Sequence, residues 1–320
     1  MEKYMRPHDF SRRTILLAAA AIAARPLWSW ADAVPGNGKK ILFFTRSQDF
    51  PHSVITRAAE KQLAFAEKIL SDLATKAGYE MTVSKDGTIF DSDRMKEFDG
   101  FVFYTTGDLT LPPGTKYKSD QTPPMSQAGK QAILAAVQGG KGFMGLHCAS
   151  DTFHSKDRTR LIRPANPDDS IDPYIVMLGG EFLAHQSQQK ATIRVAAHDF
   201  PGLEDLKDFE LFEEWYGLGN LAPDMEVILI QDTSTMKVDP ATGLREKPYQ
   251  RDPYPETWAR LHGKGRVFYS SMGHRDDVWT SDLYHKILLA GLAWTSGNVE
   301  AKITPNLAAA CPQLVAGQKL

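Results

Sequence analysis

Five short stretches place proton-carrying or metal-binding side chains directly after apolar runs. "RSQDFPHS" carries His52 and "TTGD" carries Asp108. "GFMGLHCASD" carries His147, Cys148, Ser150 and Asp151. "FEEWYG" carries Glu213, Glu214, Trp215 and Tyr216, and "SMGHRDDVW" carries His274, Arg275, Asp276 and Trp279. A sixth stretch, "LGGEFLAHQ", holds His185 and reads as following a helix. Imidazole changes charge near neutrality, and beside a carboxylate it can give or take a proton. His147 with Glu213 or Glu214 is therefore the candidate acid–base pair, and Asp151 is a further catalytic candidate.

His52, His185 and His274 could bind a divalent, zinc-type metal or the polar groups of a ligand. No compact His-x-x-x-His spacing singles out a metal site. Asp108, Tyr216 and Arg275 are candidate ligand contacts, as is His52, and Trp215 or Trp279 could stack on a ligand ring. Each residue also has a plain structural reading. His52 or Asp151 could cap a following segment, His147 could be a half-buried histidine with its partners satisfied, and His185 could sit at a helix end. His274 could be a turn residue, and the tryptophans could be core. Glu213 and Glu214 cannot both be buried without cost, so one is expected to face solvent.

The elements that must position these residues alternate in the first half. "KKILFFTRS" is a continuous apolar run, as expected of a strand buried on both faces. Residues 53–77 carry Ile55, Ala59, Leu63, Ala66, Ile69 and Leu73 at helical spacing. "YEMTVSKDG" and "FDGFVFYTTGD" read as strands, "SQAGKQAILAAVQGGKG" as a helix closed by glycines, and "GFMGLH" as a fourth strand. This order predicts a doubly wound, mostly parallel sheet, whose ligands bind beyond the carboxyl ends of its strands. "QKATIRVAAHD", "DFELFEEWYGL", "MEVILIQDT", "ETWARLHGKG" and "GRVFYSSMGH" are short strands at hairpin spacing, which predicts an antiparallel extension. "SDLYHKILLAGLAWTSG" closes the pattern as a helix with Ser281 as its cap, and residues 299–320 read as a tail.

The chain has 320 residues, 42% of them hydrophobic, enough for a sizeable core. A formal charge of −2 gives no basic excess for nucleic acid. Two cysteines exclude a disulfide-built scaffold, and Cys148 could meet Cys311 only if the tail folds back. At the N-terminus, Arg12 and Arg13 precede an alanine-rich apolar run and the small-residue site Ala31-Asp32-Ala33. Residues 1–33 resemble a twin-arginine export signal, which implies a periplasmic or secreted protein. The apolar run is only about 10 residues, too short for a stable membrane anchor.

"GFMGLHCASDTF", "VMLGGEFLAH", "EEWYG" and "GKGRVFYSSMGHRDDVW…LAGLAW", with "FPHS" after the first strand, together resemble the ThuA-like (trehalose utilisation) family over residues 39–298. The resemblance implies a flavodoxin-like α/β sandwich similar to class I glutamine amidotransferases. It also implies sugar catabolism, often beside oxidoreductases that make 3-keto-glycosides. The expected ligand is thus a small carbohydrate, a glycoside or a 3-keto sugar, handled by histidine and glutamate chemistry with or without a metal. A non-catalytic periplasmic sugar-binding protein is the alternative. In class I amidotransferases a Gly-x-Cys-x-Gly turn presents the nucleophile. Here "GLHCA" puts His147 at that place and Ala149 where the pattern nears its second glycine, so Cys148 is expected to be a small buried residue rather than a nucleophile.

Overall fold

The computed structural model describes residues 35–59, 61–117, 120–238 and 251–317. The segment read as an export signal lies outside them. Nine strands form one sheet in the order β2-β1-β3-β4-β11-β10-β9-β6-β7, and β5 pairs with β8 in a second, two-stranded sheet. β1 (Lys40–Phe44), β2 (Glu80–Ser84), β3 (Gly100–Phe103), β4 (Gly142–Leu146) and β11 (Gly265–Ser270) run parallel. β10 (Tyr254–His262), β9 (Glu226–Asp232), β6 (Gln189–Val195) and β7 (Phe209–Glu213) continue the sheet antiparallel. The expected parallel core with an antiparallel extension is therefore present, with the 2-1-3-4 order of flavodoxin-like sheets at its parallel end.

Strand alternation decides which helix covers which face. In the register Met144 pairs with Phe268 and Gly145 with Tyr269, so neighbours along each strand point to opposite sides. α5 (Asp282–Thr295) lies on the Met144–Phe268 side, where Gly291 lets the helix sit against the Phe268 ring. α3 (Pro173–Leu178) lies on the other side, with Leu178 over Gly145 and the Tyr174 ring 5.8 Å from Phe143. α1 (Phe65–Lys76) packs beside α5, and α2 (Gln127–Gln138) beside α3. β3 and β4 are buried throughout, as strands covered on both faces must be.

Several elements differ from the sequence pattern for identifiable reasons. The helix expected over 53–77 divides into a 3-10 turn, Ser53–Ile55, and α1. The Glu67 carboxylate accepts from the Ala64 N–H at 2.8 Å and from Arg57 Nε at 2.7 Å, which fixes the helix start at residue 64. "DFELFEEWYGL" is two strands: β7 ends at Glu213 and β8 (Tyr216–Gly219) joins the second sheet. His185 does not follow a helix but is the last residue of β5 (Glu181–His185). Between residues 299 and 317 lie α6 (Leu307–Ala310) and α7 (Pro312–Gly317), which bury Leu307, Cys311 and Leu314. Asn306 fastens this segment to β9 by bonds to the Val227 N–H (2.6 Å) and carbonyl (3.0 Å). Two helices this short, interrupted by Pro312, leave no helical period to read. Among the described residues no helix is long and apolar enough to cross a membrane.

β4 enters the sheet through a close approach to the end of α5. A Cβ on Gly142 would stand 2.2 Å from the Thr295 carbonyl oxygen. Gly142→Ala is expected to cost roughly 1–3 kcal/mol, read as a lower urea midpoint at unchanged slope.

Candidate functional site

The parallel strands deliver their carboxyl ends to one edge, where the chain turns sharply. After β4 the backbone enters a 3-10 turn, His147–Asp151, and His147 adopts a left-handed φ of 43°. Such a conformation is uncommon for a residue with a side chain and is held here by the surroundings. The His147 carbonyl accepts from the Tyr269 hydroxyl at 2.7 Å, and His147 Nδ1 lies 2.6 Å from the Ser271 carbonyl oxygen. A carbonyl only accepts, so Nδ1 carries the hydrogen and Nε2 presents its lone pair to the site.

Three other side chains converge on that lone pair. His52 follows β1, His274 follows β11, and Glu214 stands where the chain leaves β7 for β8. His52, His147, Glu214 and His274 each offer one donor atom, all within 4.8 Å of one another. Glu214 Oε2 is 2.9 Å from His274 Nδ1 and 3.5 Å from His147 Nε2, and Oε1 is 3.3 Å from His185 Nδ1. His52 Nε2 meets the Tyr216 hydroxyl at 3.4 Å, while His52 Nδ1, His147 Nε2 and His274 Nδ1 are buried without a hydrogen-bond partner among the described residues. Buried nitrogens left unpaired are costly, and two of these, His147 Nε2 and His274 Nδ1, face the same Glu214 oxygen, Oε2. Three imidazole nitrogens and one carboxylate are a donor set that suits zinc-type divalent ions, whose bonds to such ligands are about 2.0–2.2 Å. This group differs from the trio expected from sequence. His147 and Glu214 enter it, while His185, 44% exposed, stands one step out against Glu214.

The electrostatics follow from burial and from this crowding. Burial, reinforced by the charges of His147 and His274, pushes His52 well below the usual imidazole range. Burial also lowers His147, although Glu214 opposes it. For His274, Glu214 outweighs the effect of burial and raises the imidazole. Burial works against the charge on Glu214, but the close approach of the His147 and His274 rings holds its carboxyl far below the ordinary range. Glu213 points the other way. It is fully buried, accepts from the Glu214 N–H at 2.7 Å and the Gly273 N–H at 3.1 Å, and burial pushes its carboxyl up to about 7. Glu214 is thus the carboxylate of the cleft, and the expectation that one of the pair faces solvent fails. Glu213 is sealed in by two backbone donors, and Glu214 is only 8% exposed.

The cluster opens into a cleft of about 440 Å³ lined by His52, Glu214, His185 and Tyr216 together with Asp49, Phe50, Tyr117, Asp151, His154, Arg158, Phe182 and Leu183. Tyr216 lies 4.2 Å from the His147 ring and 4.3 Å from Phe182. The tryptophans do not form a wall. Trp215 is buried and donates to the Gln189 carbonyl at 2.8 Å, and Trp279 is buried and donates to the Gly273 carbonyl at 2.6 Å. Trp279, the last residue of α4 (Asp276–Trp279), therefore braces the loop that carries His274. Asp108 closes its own turn by accepting from Thr110 N (2.9 Å), and Arg275 pairs with Asp277 and Gln188; neither lines the cleft. The aromatic walls are Phe50, Tyr117, Phe182 and Tyr216. Phe50 sits two residues before His52 in a segment the sequence reading did single out, whereas Tyr117 lies in a loop with no period.

His154 is a further cleft residue that the sequence pattern does not mark. Its Nε2 lies 3.0 Å from Asp151 Oδ1 and its Nδ1 3.3 Å from Glu181 Oε1. Burial disfavours the charged ring, but the two carboxylates prevail and push it up to about 9. A group raised in the folded state contributes stability that is complete below its unfolded value near 6.5 and is lost as pH rises through about 9. The difference in thermal midpoint between the wild type and His154→Gln should therefore shrink across that window, measured by scanning calorimetry.

Cys148 and Cys311 are both free and buried, so they do not pair. Burial raises the Cys148 thiol well above its usual range, which keeps it protonated and unreactive. Cys148→Ala should cost on the order of 1 kcal/mol and leave ligand binding unchanged. Rapid alkylation of the native thiol would contradict this.

Comparison with known proteins places the chain. The model of the ThuA family, described as trehalose utilisation, matches residues 40–295. A ThuA-like protein from Bacteroides uniformis is similar in fold, at TM-score 0.51 and 18% identity, covering 80% of this chain and 91% of that one. A ThuA-like protein from Parabacteroides merdae is similar at TM-score 0.51 and 16% identity, covering 84% and 94%. No curated protein matches the sequence. The family match spans most of the chain, from the first strand to the end of α5: this protein belongs to the ThuA, trehalose utilisation, family.

Proposed function

We propose that the protein is a carbohydrate-acting enzyme that binds a glycoside or a 3-keto sugar and acts on it with a divalent ion held by His52, His147, Glu214 and His274. Family membership supports a carbohydrate-related role. The observation that carries the chemistry is the convergence of these four donors, three of their nitrogens otherwise unpartnered, at the base of a cleft of pocket size. Held by these four residues, a zinc-type ion would supply Lewis-acid polarisation of a substrate oxygen.

The chain's own residues do the rest. Ser271 fixes the His147 tautomer and so aims Nε2. Glu214 supplies the negative charge that a divalent ion requires, and His185 steadies its second oxygen. Phe50, Tyr117, Phe182 and Tyr216 offer apolar faces for a sugar ring, and the Tyr216 hydroxyl adds a polar contact at the base. Proton transfer in this reading occurs next to a carbonyl or at a glycosidic bond. The paired arginines at the N-terminus support export to the periplasm, where sugar oxidoreductases would supply an oxidised substrate.

Metal analysis of the purified chain tests the reading. The wild type should carry one tightly bound divalent ion per chain, with affinity falling at least ~10-fold in Glu214→Gln and His274→Gln. Chelation should abolish turnover in a screen of glycosides and 3-keto-glycosides, and zinc should restore it. Sugar binding with no turnover and no metal would favour a binding protein instead.

A further inference from the structure

We infer that Asp151, His154 and Glu181 form a separate acid–base unit on the wall of the same cleft, with Asp151 as the proton acceptor and the other two as positioning residues. The inference rests on the carbohydrate reading above and assigns the proton transfer within it. Donors committed to an ion cannot also take a proton, so the cluster at the base leaves this role open. Asp151 and His154 both line the cleft, and Glu181 lies behind them.

The geometry fixes who can do what. Both nitrogens of His154 face carboxylate oxygens, Asp151 Oδ1 at 3.0 Å and Glu181 Oε1 at 3.3 Å. Only an imidazolium donates to both, so His154 has no lone pair to accept a proton. Glu181 is fully buried and is itself held by the Ser155 N–H (2.9 Å), Asn220 Nδ2 (2.8 Å) and Arg158 Nε (3.2 Å). It therefore anchors His154, and His154 anchors one oxygen of Asp151. Asp151 Oδ2 makes no hydrogen bond to a described residue, and its side chain is 18% exposed at the cleft. The raised His154 ring agrees with this arrangement.

The backbone between the two residues is built for it. Phe153 takes a left-handed φ of 55°, costly for a bulky residue, and its ring is pinned 5.4 Å from Tyr174 with the Lys130 ammonium 3.9 Å above it. This kink turns Asp151 and His154 toward each other. In the reaction, the C–H bond next to a substrate carbonyl breaks and its proton passes to Asp151 Oδ2. The electron pair moves to form the C=C bond of an enolate, whose charge rests on the former carbonyl oxygen; the reverse step returns the proton.

Proton NMR in deuterium oxide with a methyl 3-keto-glucoside as probe reads the step directly, as wash-in of solvent deuterium beside the ketone. The wild type should catalyse exchange. Asp151→Asn should slow it by ~10²–10⁴-fold, the range for loss of a general base, and His154→Gln by a smaller factor. Both should bind the probe and the divalent ion as the wild type does, and His154→Lys should recover part of the rate. Exchange at the wild-type rate in Asp151→Asn overturns the acceptor assignment, and in a folded His154→Gln it overturns the positioning role. A wild type that binds the probe without exchanging it overturns the unit as a whole, leaving the carbohydrate reading in place. No binding of the probe removes both.

Discussion

The contact between His147 Nδ1 and the Ser271 carbonyl joins the ends of two adjacent parallel strands, β4 and β11, at the middle of the sheet. Everything around the cleft leans on it. Ser271 is in turn held by the buried Glu256, which accepts from the hydroxyls of Ser270 (3.1 Å) and Ser271 (2.9 Å) and the Met272 N–H (3.0 Å). Tyr104, Tyr284 and Trp279 fasten the next two carbonyls, those of Met272 and Gly273. A loop whose polar groups are this fully bonded has one conformation, and the site inherits that rigidity. Glu256 is a carboxylate deep in the protein, raised by burial although these donors oppose it, so its role is architectural.

Placing a histidine on the strand-end turn changes what the fold can do there. The thiol one position on points into the core, and the imidazole takes the strained left-handed place. A thiol at a sharp turn attacks; an imidazole fixed through one nitrogen binds or orients through the other. In the proposed reading the turn thus serves coordination and proton transfer in place of covalent attack, and this needs only a different residue at one turn.

The strands and their ends were legible because apolar runs and turn residues obey local rules. His52, His147 and His274 could be named from position alone, since parallel strands must share an edge. Glu214 could not be separated from Glu213 by sequence, because the choice depends on where β7 yields to β8. The Trp215 and Trp279 assignments failed for a related reason: an indole after a strand can turn inward to a carbonyl, and sequence does not show which carbonyls are waiting. His154 lies just past the "GFMGLHCASDTF" stretch, and no local pattern marks it; its meaning comes from Glu181, 27 residues away in the two-stranded sheet.

The cleft draws its groups from elements of unequal mechanical support. β4 lies inside the large sheet with neighbours on both sides, whereas β7 is an edge strand bonded only to β6, with Phe212 43% exposed beneath Arg275. Hydrogen bonding on one side only makes an edge the first part of a sheet to open. Glu213 and Glu214 ride on the end of that edge strand. The histidine side of the site is thus the fixed jaw, and the carboxylate side is the compliant one. Thermal fluctuation there would vary the distance between charge and imidazole while leaving the imidazoles in register with one another.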